Sequence, residues 1–395
     1  MRKSVFTAAL ALLFCCKAAW ALEPANPKTT AKGKAILAYF AALPNREDRR
    51  VVSGQFTDFG DGSNMSIMDE CKRVSGHYPG MIGGDYADFG RNFVTTKAVN
   101  KTSADYWKAG GLVHLSAHVP HPGGGGFRDR DVDLNQIILA GTAQNKSWMR
   151  MLDSMAAGLQ ELRDAGVVVM WRPFHEMNGN WFWWNGKDTV AFVKVWRHMF
   201  DYYTKDKGLD NLLWVYGPNH GAKVTAYYPG DAYVDITGLD AYTDNVDSNT
   251  IKGYGAMVRL GKPFGLTEYG PHGAENPPGD FDYRRLIAGI RKDFPQTCFF
   301  MTWNAKWSLP QNRFSKELLD DPWIVNREDL DFTVGLRSPI AVGRGGRPAV
   351  AWRLGAGARG GIGIASLSDP LNGWGAGSDG WIQLDLTGRT WIAPR

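Results

Sequence analysis

Two glutamates, Glu176 and Glu268, stand 92 residues apart, each just beyond a short apolar run. Paired carboxyl groups are the equipment of glycoside hydrolysis. One protonates the leaving oxygen while the other attacks the sugar or activates water. Glu176 lies in the run Arg172-Pro-Phe-His-Glu-Met-Asn-Gly-Asn-Trp-Phe-Trp-Trp184, among Trp181, Trp183 and Trp184. Aromatic faces pack against sugar C–H surfaces, and removal from water keeps a carboxyl protonated near neutral pH. The alternative for this stretch is purely structural, an Arg172–Glu176 ion pair in a corner of the core.

The elements that must hold these groups can be read outward from them. Val167 to Met170 is a β-branched apolar run, the pattern of a strand covered on both faces, and it precedes Arg172. Seven further stretches read the same way: Val51 to Phe56, Pro79 to Tyr86, Gly111 to His118, Asn211 to Pro218, Val234 to Tyr242, Pro263 to Gly270 and Cys298 to Asn304. Helical patterns fall around them at Ala35 to Leu43, Ser66 to Ser75, Val94 to Ala109, Met149 to Ala165, Thr189 to Lys207 and Asp282 to Phe294. Gly166 and Gly208 stop two of these. Eight strands with polar or aromatic carboxyl ends predict a (β/α)8 TIM barrel, whose catalytic face is the carboxyl end of the sheet. Strands four and seven then face each other across the axis and carry Glu176 and Glu268. An open doubly wound sheet would more often show a glycine-rich phosphate turn after its first strand, and none is found there. Val119 to Ser147 reads as a long loop containing Gly123 to Gly126, of the kind usually functional or disordered.

Composition narrows the function. Aromatic residues make up 12% of the chain, with 16 tryptophans, which favours a flat-faced ligand such as carbohydrate. The formal charge is +5, of which Arg2, Lys3 and Lys17 supply three, so nothing argues for nucleic acid. Residues 1–21 have the form of a secretory signal peptide. Arg2 and Lys3 precede the apolar run Val5 to Cys16, and Ala19-Trp-Ala21 makes a cleavage site. That run is too short for a membrane anchor. Leu13-Phe14 before Cys15 and Cys16 does not suit lipidation. The expected destination is secreted, extracellular or periplasmic, with no membrane association after signal removal. Cys71 and Cys298 then remain, and an exported chain allows their pairing. His114, His118 and His121 invite a metal reading, but no carboxylate or cysteine spacing supports it. Asp129, Asp131 and Asp133 lack the glycine and distal glutamate of a calcium loop and read as a solvated acidic stretch. Asn64, Asn100 and Asn145 begin glycosylation sequons.

The run from Arg172 to Trp184 closely resembles glycoside hydrolase family 26, chiefly β-1,4-mannanases. Thr267-Glu-Tyr-Gly270 and Asp240-Ala-Tyr242 fall in the family's order, and the likeness spans about Val51 to Phe332. The resemblance implies a retaining barrel enzyme with Glu176 as acid/base and Glu268 as nucleophile. His175 stands before the acid/base, as in that family, where most of its clan has asparagine. By the same carry-over Trp181 walls the subsite at the cleavage point, Tyr242 supports the nucleophile, Trp303 is the platform under the sugar, and His118 bonds substrate. Arg172 and His175 join them as substrate-binding residues. Core packing for Trp303, and a backbone-bonded hydroxyl for Tyr242, are the structural alternatives.

The expected partner is a β-mannan polysaccharide or oligosaccharide acted on by a monomer, with no cofactor and no metal. The alternatives are the same barrel acting on mixed-linked β-glucan or β-1,3-xylan, and a non-catalytic carbohydrate-binding barrel. The expected organisation is signal peptide 1–21, leader and first helix 22–50, catalytic domain 51–333 and C-terminal tail 334–395. From Val334 on, 62 residues hold 14 glycines and seven arginines but no lysine or glutamate. Gly380 to Thr387 has strand character. The composition favours a disordered tail or an altered reading frame over a carbohydrate-binding appendage.

Overall fold

The computed structural model describes residues 22–88, 93–271 and 279–332, and the backbone of four short segments beyond them. The chain divides into two units, Met1–Leu336 and Arg337–Arg395. The first is built on eight parallel strands: β1 (Gly54–Phe59), β2 (Met81–Asp85), β3 (Leu112–Ala117), β4 (Val169–Pro173), β5 (Leu212–Tyr216), β6 (Ile236–Tyr242), β7 (Phe264–Gly270) and β8 (Thr297–Thr302). Each pairs with the next, and β8 returns to β1 through Thr302 and Gln55, so the sheet closes into a (β/α)8 barrel.

Period-two alternation sorts the strand side chains into two cores. Phe56, Met81, Leu112, Met170, Leu213, Ile236, Phe299 and Met301 form one buried cluster, while neighbours such as Val113, Leu115, Val169, Trp171, Trp214 and Leu239 join a second with the outer helices. The inner cluster takes in Ile36, Leu37, Tyr39 and Phe40 of helix α1 (Ala31–Ala42). This helix starts where Thr30 caps the Gly33 N–H, four residues before the expected start, because the cap rather than the apolar pattern sets its end. The Thr30 N–H donates to the carbonyl of Asp210, just ahead of β5, which places α1 at the amino end of the barrel, opposite the carboxyl strand ends.

Helix α2 (Ser66–Ser75) fills its expected span, α6 (Thr189–Asp201) runs on as the π-helix Tyr202–Asp206 nearly to its expected end, and α3 (Lys97–Lys108) and α7 (Arg284–Asp293) are trimmed at both ends. The stretch expected to be a long loop is shorter. Asp133 caps α4 (Leu134–Ile138), and Thr142 caps α5 (Ala143–Asp164), which starts six residues earlier than its amphipathic pattern suggests. Cys71 and Cys298 are both buried free thiols in different clusters, so the pairing open to them is not made. Among the sequon asparagines, Asn100 and Asn145 are buried with their amides bonded to Gly158 and Ile137 carbonyls at 2.9 Å each, which leaves only Asn64 exposed. In the second unit, Trp352–Ala356, Ile362–Ser366, Trp381–Leu384 and Thr390–Ile392 pair as a four-stranded antiparallel sheet. The expected strand character of Gly380 to Thr387 coincides with its third strand over Trp381–Leu384, and the rest of that stretch lies outside the described residues.

Candidate active site

Arg172 points inward from β4 and is fully buried. Its Nη1 donates to Asp240 Oδ2 on β6 at 2.7 Å, and its Nη2 bonds Glu268 Oε1 on β7. The structural alternative of an Arg172–Glu176 pair is therefore not what the fold makes. Glycines just after β5 and on β6 leave room for the guanidinium and its partners. A Cβ at Gly217 would sit 2.8 Å from Thr267 Oγ1 and 3.1 Å from Arg172 Cδ, and one at Gly238 would sit 2.5 Å from Thr267 Cγ2. Thr267 donates to the other Asp240 oxygen at 2.6 Å.

Glu268 is thus held on both sides, because Tyr242 Oη donates to its Oε2 at 2.7 Å. Burial first, and then the Glu268 charge, push the Tyr242 phenol up, so it stays a donor.

Beyond β4 the chain turns sharply. Phe174 and Glu176 take left-handed backbone conformations with φ of 51° and 54°, which cost L-residues about 1–2 kcal/mol each. Hydrogen bonds hold the turn. Glu176 N–H donates to the Gly217 carbonyl at 2.8 Å, and Asn185 Nδ2 and Gly179 N–H both donate to the Glu176 carbonyl at 2.8 Å. Asn185 Oδ1 accepts the N–H groups of Trp181 and Phe182 at 3.0 and 2.8 Å. The tryptophans divide their work. Trp183 and Trp184 are fully buried, their Nε1 groups bonded to Val119 and His175 carbonyls, so they brace the loop rather than offer a face to sugar. Trp181 is half-buried, and its Nε1 donates to Glu176 Oε2 at 2.6 Å.

Burial, and then the charge of Glu268, raise the Glu176 carboxyl to about 8. One oxygen each of Glu176, Asp240 and Glu268 lies within 4.8 Å of the others, the only cluster of potential metal ligands among the described residues. Arg172 already bonds two of the three, so their charge is met by a side chain. His114 instead sits in the core. His121 Nδ1 accepts the N–H groups of Gly123 and Gly125 at 3.0 and 3.1 Å. Asp129 and Asp133 take backbone N–H groups, and Asp131 faces His121. The acidic stretch is local loop wiring.

His118 and His175 meet through their Nε2 atoms at 3.1 Å, enclosed by Phe182 and Trp184. Trp303 follows β8 directly, with one face stacked on Phe56 at 3.7 Å. All eight expected site residues therefore gather at the carboxyl end of the barrel. Two carboxylates that bind into this group were given no role from the sequence: Asp240 was seen only as part of the Asp240-Ala-Tyr242 motif, and Asp85 only as a residue of a strand run. Their roles depend on which side chains the closed sheet brings opposite them.

The profile of glycosyl hydrolase family 26 matches residues 25–329. The chain is 37% identical over 336 residues to mannan endo-1,4-beta-mannosidase A and B of Caldalkalibacillus mannanilyticus, covering 80% of this chain and 64% of that one. It is 35% identical over 348 residues to the mannan endo-1,4-beta-mannosidase of Bacillus subtilis, covering 82% and 94%. A solved Bacillus subtilis mannanase superposes with a TM-score of 0.73 at 35% identity, covering 78% of this chain and 96% of that one.

Proposed function

The chain belongs to glycosyl hydrolase family 26, and from that premise we propose that it is a secreted endo-β-1,4-mannanase acting by double displacement with retention. The observation that carries the mechanism is the closeness of Glu176 and Glu268, whose nearest oxygens lie within 4.8 Å. Retaining enzymes hold their two carboxyl groups about 5–5.5 Å apart, whereas inverting ones need about 6.5–9.5 Å to admit water.

The surroundings divide the two roles. Glu268, bonded by Arg172 and Tyr242, is the nucleophile that attacks the anomeric carbon. Glu176, raised to about 8, carries a proton at neutral pH. Trp181 N–H already donates to its Oε2, so that proton sits on Oε1, from where it goes to the leaving sugar oxygen. Once Glu268 is esterified its negative charge is gone, and one of the two causes of the raised Glu176 pKa goes with it. Glu176, now more acidic, takes a proton from the water that frees the glycosyl-enzyme. Trp181, Trp303, His118 and His175 line the bound sugar in this reading, and Arg172 reaches it only through Glu268. The substrate assignment rests on the relatives, and export rests on the signal-like residues 1–21.

The test is hydrolysis of linear β-1,4-mannan, galactomannan, mixed-linked β-glucan and xylan side by side, with the first-formed anomer read by NMR. Mannan cleavage giving the β-anomer first is expected. Activity confined to glucan or xylan would overturn the substrate, and the α-anomer first would overturn the mechanism.

A further inference from the structure

Asp85 ends β2, fully buried, and has no part in the steps above. Its Oδ1 accepts the N–H groups of Ala87 and His118 at 2.7 and 3.0 Å. Its Oδ2 accepts the Ser116 hydroxyl at 2.6 Å and lies 2.9 Å from His118 Nδ1. Burial opposes ionisation, but the His118 imidazole and these donors hold the carboxyl below its ordinary range. An ionised carboxylate only accepts, so His118 Nδ1 must carry hydrogen.

One hydrogen then remains to be placed between the two Nε2 atoms, 3.1 Å apart. The far nitrogen of His175, Nδ1, is buried without a partner. Were the hydrogen on His118, His175 would accept at Nε2, and its Nδ1 would be a buried N–H with nothing to bond. A buried orphan N–H is rarer than a buried orphan acceptor. The hydrogen therefore belongs to His175 Nε2, which donates to a bare His118 Nε2. Burial, which pushes His175 well below the ordinary histidine range, agrees with this neutral form.

We propose that Asp85 is a positioning residue, setting the tautomers of His118 and, through it, of His175, the residue that carries Glu176 on its next peptide. The catalytic consequence rests on the function proposed above, whereas the tautomers themselves do not. The ring of His175 is anchored edge-on by His118, while its carbonyl is held by Trp184 at 2.8 Å. An asparagine at 85 keeps the shape but presents an NH2 group where Oδ2 stood. His118 Nδ1 then has to become the acceptor, its hydrogen moves to Nε2, and His175 is left with the orphan N–H.

The test is two-bond 1H–15N spectroscopy of the histidine rings in the purified protein at pH 7, with peaks assigned through His118→Asn and His175→Asn. The wild type is expected to show His118 protonated at Nδ1 alone and His175 at Nε2 alone. Asp85→Asn is expected to invert His118 and to lower kcat by roughly tenfold to a hundredfold, the range for losing a hydrogen bond to a charged group. Wild-type His118 protonated at Nε2, alone or together with Nδ1, overturns the proposal. So does a folded Asp85→Asn that inverts His118 with kcat unchanged. If Asp85→Asn does not fold, the wild-type spectrum alone decides. Wild-type protein with the expected tautomers but no activity on mannan would sink the functional reading and leave the tautomer assignment standing.

Discussion

Replacing Glu268 by glutamine should make Glu176 a stronger acid. The nearest carboxylate oxygens lie within 4.8 Å, but each charge is shared between two oxygens. At the separation of about 5 Å typical of a retaining pair, an effective dielectric near 20 gives roughly 3 kcal/mol of repulsion, about two pKa units. The Arg172 guanidinium on Glu268 screens part of this, so the expected fall is about one to two units. From about 8 in the wild type, Glu176 would then titrate at roughly 6–7 in Glu268→Gln. Glutamine suits the site, because its carbonyl can face Arg172 while its NH2 faces the Tyr242 oxygen. The assay is pH titration of the side-chain carboxyl 13C resonance in protein labelled at glutamate, with the peak assigned by Glu176→Gln. The variant needs no turnover, so the measurement is independent of substrate. A Glu176 that still titrates near 8 in Glu268→Gln would refute the reasoning. Burial alone would then set its pKa, and esterification of Glu268 could not convert the acid into a base. In the wild type, kcat/KM should fall as pH rises through about 8, since in the proposed mechanism only protonated Glu176 serves as acid.

Tyr242→Phe removes the donor on Glu268 Oε2 and should lower kcat by about tenfold to a hundredfold, measured on mannan, with little change in thermal stability. Arg172→Met leaves Asp240 and Glu268 buried without their cation and should cost about 3–5 kcal/mol in urea unfolding; a loss under 1 kcal/mol would contradict the central role given to that guanidinium. His77 faces Glu328 through Nδ1 and Asp320 through Nε2 at 2.8 Å, and both nitrogens can donate only in the imidazolium form. Burial opposes that form, but the two carboxylates raise the pKa above its ordinary 6.5. The stabilisation is therefore fully present below pH 6.5 and is lost as pH rises through the folded-state pKa. His77→Gln should lower Tm by about 1–3 °C at pH 5.5, as for a pair worth about 1 kcal/mol, and by less at pH 9.

Much of this arrangement is legible in the residues, for reasons that differ by element. The strand runs are recognisable because a barrel buries both faces of its sheet, which forces apolar residues without gaps into stretches such as Leu212–Tyr216. The proposed catalytic pair is recognisable because strand ends four and seven meet across a closed barrel, whatever their distance along the chain. The partners of Arg172 are not recognisable in this way. Asp240 and Glu268 lie 68 and 96 residues away, and only the sheet register and the glycines just after β5 and on β6 let one guanidinium touch both. The split among the three tryptophans is equally hidden, since a one-residue change of facing decides whether an indole meets solvent or core. The early start of α5 was signalled by Thr142, but a cap outside the apolar pattern carries little weight until the helix is seen.

The left-handed backbone at Glu176 sets two selective pressures against each other. Glycine adopts that conformation without strain, and a glycine there would also remove a carboxyl buried at the expense of its hydration. A library of variants screened only for resistance to heat should therefore enrich Glu176→Gly, yielding a sturdier and inert protein. In evolutionary time the same gradient would act on any duplicate relieved of its task, and this position would be among the first to drift.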